Sequence, residues 1–125
     1  MRTMKSLFSG LLLIALSLAL TGWGTRHLEL LDSDPKKDQT VGSAPIDIAL
    51  IFSESVDSAR TSVSLQGPDG PVDLGPIRLQ DEALVVLTKV VGPAPVGTYT
   101  VSWNAAAPGE DPIKGTFRYS VRREW

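Results

Sequence analysis

The chain of 125 residues contains no cysteine and a single histidine. Without cysteine there is no disulfide framework, thiolate nucleophile, cysteine-based zinc site or lipidated cysteine anchor. One imidazole excludes a two-histidine metal site and a histidine acid–base pair. Neither sign of charge is in large excess, since 12 Lys and Arg stand against 14 Asp and Glu for a formal charge of −2. That balance leaves no basic surface of the kind that draws in phosphate backbones, and so argues against nucleic acid as a partner. Linkers, internal repeats and low-complexity tracts are also missing. A composition 42% hydrophobic and 21% charged is that of an ordinary globular chain.

Long hydrophobic runs are scarce too, with one exception. Arg2 and Lys5 precede an apolar stretch from Leu7 to Leu20, and small or polar residues follow at Thr21, Gly22, Gly24 and Thr25. This order reads as a secretory signal peptide. The stretch is shorter than the ~20 residues of a spanning helix, so no stable membrane insertion is expected after cleavage. Residues 1–24 are therefore expected to be a signal peptide and residues 25–125 one exported domain, periplasmic or secreted. Gly22 and Gly24 suit the −3 and −1 cleavage positions, leaving Thr25-Arg26-His27 at the new terminus; cleavage directly before His27 would put Arg26 at −1. Because Arg2 and Lys5 leave with the leader, the remaining chain carries ten Lys and Arg against 14 acids, a net −4.

What is present in that domain is the rhythm of an all-β protein. Ile46 to Phe52 alternates with Ile46, Ile48, Leu50 and Phe52 on one face; Thr98 to Trp103 groups Tyr99, Val101 and Trp103; Thr116 to Val121 groups Phe117, Tyr119 and Val121. Period two is the strand signature. Shorter runs at Leu28–Leu31, Ser62–Gln66, Val72–Leu74, Ile77–Leu79 and Ala83–Lys89 read as further strands. Gly and Pro punctuate them at 67–71, 75–76, 92–97 and 108–112, where Pro lacks a donor and Gly adopts positive φ cheaply. No window holds a helical period free of Gly or Pro for three turns. Seven or eight short antiparallel strands in about 100 residues predict an immunoglobulin-like β-sandwich. Phe52, Tyr99, Trp103 and Phe117 are expected in its core rather than on a ligand platform.

The candidate chemistry is sparse. His27 lies within three residues of any plausible mature terminus, where a free α-amine and a neutral imidazole are both nitrogen donors that Cu(II) accepts in tetragonal geometry. The plainer reading is a solvated histidine near a chain end. Asp32, Asp34 and Asp38 lack calcium-loop spacing, because Pro35, Lys36 and Lys37 interrupt them. Glu110-Asp111 would on its own be a solvated turn. Arg122, Arg123 and Trp125 read as a frayed end. Catalysis is not expected, since His27 is the sole base for any serine, no Gly-x-Ser-x-Gly elbow occurs, and a histidine-brace copper oxidase needs a second imidazole.

Four blocks occur in one order: His27-Leu28-Glu29-Leu30-Leu31-Asp32-Ser33-Asp34-Pro35, Phe52-Ser53-Glu54-Ser55-Val56, Gly97-Thr98-Tyr99-Thr100-Val101-Ser102-Trp103, and Pro112-Ile113-Lys114-Gly115-Thr116-Phe117. In order and spacing they resemble the CopC family of periplasmic copper-resistance proteins. The resemblance implies a Greek-key sandwich that sequesters or shuttles Cu(II), often beside an inner-membrane copper transporter. It implies a metal site built from the terminal amine and imidazole of a histidine, matching His27, and in some members a glutamate, matching Glu54. It further implies an Asp-x-His turn, and there this chain departs: Gly109 stands at the aspartate and Asp111 at the histidine, with Glu110 between. The implied ligand set is thus His27, Glu54, Asp111 and Glu110, a reduced Cu(II) site poorer in nitrogen than the family's. A methionine-rich Cu(I) site is not expected, since Met1 and Met4 both lie in the leader. The alternative is a sandwich that has lost its copper turn and binds a protein partner without metal.

Overall fold

A computed structural model describes residues 27–123; the signal-peptide reading of residues 1–24 and the terminal Trp125 lie outside them. Nine strands form in chain order: β1 (Leu30–Asp34), β2 (Thr40–Val41), β3 (Asp47–Phe52), β4 (Ser62–Gly67), β5 (Gly70–Val72), β6 (Arg78–Gln80), β7 (Val85–Lys89), β8 (Gly97–Ala105) and β9 (Ile113–Val121). The helical content among the described residues is one 3₁₀ turn, Ser58–Arg60. The strands make a four-stranded sheet ordered β1-β3-β7-β6 and a five-stranded sheet ordered β2-β9-β8-β4-β5. The expected two-sheet all-β sandwich is the fold observed. One strand pair departs from the antiparallel expectation, because the two-residue β2 runs parallel to the end of β9.

Alternation sets the two faces. β3 buries Ile48, Leu50 and Phe52 and turns Asp47 outward, while β8 buries Tyr99 and Val101 and β9 buries Phe117, Tyr119 and Val121. These inward residues meet between the sheets with Val86 and Leu65. Full burial of a side chain the size of Phe52 or Leu50 stabilises the fold by about 2–3 kcal/mol. Two aromatic contacts organise the centre: Phe52 of one sheet meets Trp103 of the other edge-on at 5.3 Å and 74°. Tyr99 and Tyr119, directly paired across β8 and β9, stack at 5.2 Å and 8°. The Tyr99 hydroxyl donates to the Pro95 carbonyl, tying the 92–97 loop to the core.

Several sequence expectations shift at strand ends. Ile46 is not inward: β3 begins one residue later, and Ile46 is 72% exposed. Its carbonyl instead accepts from Val90 N–H at 2.8 Å. Trp103 is only partly buried, because its ring lies on Gly115 and forms part of a groove shared with Leu30, Leu31 and Phe117. β7 begins at Val85 rather than Ala83, because Ala83 has φ +65 and belongs to the preceding turn. Leu74 joins no strand and makes a single bridge to Val90.

Candidate metal centre

The C-terminal end of β3, the N-terminal end of β7, the C-terminal end of β8 and the N-terminal end of β9 lie at one end of the sandwich. His27 and Glu54 are at that end. His27 is exposed and immediately precedes Leu28, which is 5% exposed and belongs to the core. Burial of Leu28 thus anchors the segment that carries the histidine. A second anchor is Ser53: its N–H donates to the Glu29 carbonyl at 2.9 Å, its Oγ accepts from Glu29 N–H at 2.9 Å, and the same hydroxyl donates to the His27 carbonyl at 3.3 Å. The backbone of His27 is therefore held against the residue next to Glu54.

Glu54 follows directly from the end of β3 and is partly buried. Its Oε2 is buried and receives no hydrogen bond from the described residues. A buried carboxylate oxygen without a donor is costly, on the order of 1–3 kcal/mol or more, and such a group calls for a partner that the described residues do not supply, such as water or an ion.

Glu110 and Asp111 lie at the same end, in the connection between β8 and β9, and both are exposed. Local sequence shapes this connection. Pro108 and Gly109 occupy the central positions of a turn closed by Glu110 N–H donating to the Ala107 carbonyl at 3.0 Å, and Gly109 has φ +77. Pro followed by a residue of positive φ is the type II arrangement, in which glycine is favoured at the second central position. The glycine standing where the family resemblance places an aspartate therefore has a backbone reason. The turn is fastened by Arg60, whose Nη2 donates to the carbonyls of Ala107 at 2.9 Å and Glu110 at 2.8 Å. Asp57 supports Arg60 in turn: it caps the 3₁₀ turn by accepting from Ala59 N–H at 3.0 Å, and its carboxylate lies 3.4 Å from Arg60 Nε.

One loop thus joins the whole candidate set. Residues 53–61 touch the His27 segment at Ser53 and the Glu110 turn at Arg60. Even so, among the described residues no group of three or more His, Asp or Glu side chains is gathered closely enough to hold a metal ion. His27 and Glu54 are on neighbouring segments, whereas Glu110 and Asp111 sit on a turn held through its backbone. An imidazole from His27 with one carboxylate oxygen from Glu54 suits a borderline cation such as Cu(II), which takes mixed nitrogen and oxygen donors. Asp32 is occupied elsewhere, accepting from Lys36 Nζ at 2.9 and 3.0 Å, which with Ser33 N–H holds its carboxyl below the usual range.

Sequence reasoning did not single out Ser53, Ser55 or Arg60. Ser53 could have been found, since it lies inside the Phe-Ser-Glu block; Asp57 ahead of Ser-Ala-Arg also carries a capping signature.

Comparison with known proteins bears on the sandwich as a whole. The family model for the CopC domain matches residues 30–122. Copper resistance protein C of Escherichia coli is 29% identical over 106 residues, spanning 77% of this chain and 82% of that protein. Protein YobA of Escherichia coli strain K12 is 27% identical over 123 residues, 96% of this chain and 98% of that protein. The crystal structure of PcoC, a methionine-rich copper resistance protein from Escherichia coli, aligns with a TM-score of 0.68 and 28% identity, covering 78% of this chain and 100% of that one. This chain has only two methionines, at positions 1 and 4, and so differs from PcoC in that respect. With the family match running from β1 past the end of β9 and the same sandwich recurring in PcoC, the chain belongs to the CopC family.

Proposed function

We propose that this protein is an exported copper carrier, which takes Cu(II) as cargo at the His27 end of the sandwich and sequesters or shuttles it in the periplasm. The observation that carries the reading is the buried, unpartnered Oε2 of Glu54 beside the segment that Ser53 fastens to His27. His27 supplies imidazole and, once residues 1–24 are removed, stands at or near a free amine. Glu54 supplies an oxygen, and Asp111 or Glu110 supplies a further carboxylate if the turn closes over the metal. The mature net charge of −4 favours a cation as cargo. Delivery to an inner-membrane copper transporter belongs to the same reading, and no catalytic step is assigned.

The test is titration of the processed protein with Cu(II), followed by electron paramagnetic resonance. We expect one type 2 copper signal per chain, lost in His27→Ala and weakened in Glu54→Gln. Absence of that signal at stoichiometric copper overturns the reading. Unchanged binding in Asp111→Ala removes only the turn from the ligand set. A second reading, a sandwich that binds a protein partner without metal, is favoured by the exposure of Glu110 and Asp111, and the same titration separates the two.

A further inference from the structure

The chain passes from β6 to β7 through a turn with an uncommon backbone. Asp81, Glu82 and Ala83 have φ of +52, +57 and +65, and Leu84 N–H closes the turn on the Asp81 carbonyl at 3.1 Å. For L-residues the left-handed region is visited mostly by glycine and mostly singly, because Cβ crowds the following carbonyl. Three such residues in a row, none of them glycine, persist only where the surroundings over-determine them.

The surroundings are the segment that bears Glu54. The Glu82 carbonyl accepts from Ser55 Oγ at 2.6 Å, the Ala83 carbonyl accepts from Val56 N–H at 2.9 Å, and the Leu84 carbonyl accepts from Phe52 N–H at 2.9 Å. Three successive carbonyls of the turn thus take three donors that bracket Glu54. On the other side, both donors of Ser53 are engaged by the Glu29 and His27 carbonyls. These five donors close to Glu54 all point to backbone oxygens and none to the carboxylate, whose Oε2 is left buried and bare. A buried carboxylate ordinarily recruits such donors.

We propose that the left-handed turn Asp81–Ala83, acting through Ser55, is a positioning element for Glu54: it takes up the neighbouring donors and so keeps the carboxylate oxygen unpaired, open to a divalent cation. Ser55 and the turn touch no metal themselves. The inference rests on the reading of Glu54 as an oxygen donor to Cu(II), and it states what makes that oxygen available. Ligand orientation by outer partners is a common device, and its loss costs roughly 10–100-fold in metal affinity.

The experiment uses the processed protein with ¹³C-labelled glutamate carboxylates, first without metal and then with Cu(II). In Ser55→Ala we expect the Glu54 carboxylate resonance to move, as the freed segment lets a donor turn to it. Amide exchange at Val56 should accelerate on the order of fivefold, the effect of one lost hydrogen bond. Ser55→Thr, which keeps the hydroxyl, should leave both at their original values. Ala83→Val, whose branched Cβ disfavours φ near +65, should reproduce Ser55→Ala without touching the serine. Cu(II) affinity should fall on the order of tenfold in Ser55→Ala. That fall should vanish when Glu54→Gln is already present, which a general loss of stability would not produce. A Glu54 resonance unmoved in both variants, or an equal affinity loss with and without Glu54→Gln, overturns the proposal. Wild-type copper binding by Glu54→Gln alone overturns the role of Glu54 as ligand, while the metal-free resonance still judges the turn.

Discussion

Gly115 shows how a single residue fixes the contact between the sheets. A Cβ there would lie 2.7 Å from Cζ2 and 2.9 Å from Cε2 of Trp103, whose ring is braced edge-on by Phe52. A rigid indole held by another ring has little room to give. Gly115→Ala is expected to destabilise the protein by about 1–3 kcal/mol, the usual range for overpacking, read as a lowered melting temperature and a smaller urea midpoint. Trp103 emission should change with it. Tyr119 carries the second prediction at this scale. Burial in the sandwich, and to a lesser degree neighbouring Tyr99, push its phenol up to about 12. The fold therefore favours the neutral phenol over its unfolded counterpart, which titrates near ~10. That stabilisation is complete below the unfolded value and is lost as pH rises through the folded one. Alkaline unfolding is thus expected to begin above pH ~10, with tyrosinate absorbance appearing together with loss of the fold. Tyr119→Phe should move the transition to higher pH; an unmoved midpoint would count against the burial argument.

At the scale of elements, the strands that were legible in the sequence are those whose inner face is continuous. β3, β8 and β9 alternate strictly, because each packs one face on the other sheet and the other on solvent. β2 was not legible, since two residues show no period and its pairing depends on β9 coming from far along the chain. The turn from Asp81 to Ala83 was not legible either, because no glycine marks its positive φ; tertiary hydrogen bonds from the Glu54 segment impose it. Glu54 could be named from its block, but its bare oxygen is a property of packing that no local pattern encodes. The connection between β8 and β9 is the opposite case, for Pro108-Gly109 announces its turn and the structure places it there. Its glycine is demanded by φ +77, although nothing lies within 4 Å of a Cβ built on it. Gly109→Asp is accordingly expected to cost about 1 kcal/mol through backbone strain alone, with Gly109→Asn costing less. Thermal melts of the two variants check the ranking. An aspartate that fits there without loss would mean that the turn has another accessible shape.

At the scale of the whole molecule, the fold and the proposed copper capture draw on different parts of the chain. Among the described residues the core runs from Leu28 to Val121. On the proposed reading, the terminal amine serves the metal. A protein beginning at His27, one beginning at Thr25 and one beginning at His27 with an acetylated amine should therefore melt together. Their copper binding should separate. Beginning at His27, amine and imidazole chelate through one residue. Beginning at Thr25, the histidine is third, and amine, two backbone amides and imidazole can surround the ion in a plane, a geometry Cu(II) accepts. Acetylation leaves one imidazole and carboxylates. Its affinity should fall by on the order of tenfold or more, with nitrogen couplings reduced in the resonance spectrum. Competition with protons adds a direction, since amine and imidazole must both be deprotonated to bind, so affinity in the free-amine forms should fall as pH is lowered. If the acetylated protein bound Cu(II) as tightly as the free one, the amine would not be a ligand, and the buried oxygen of Glu54 would have to serve a site centred away from the chain terminus.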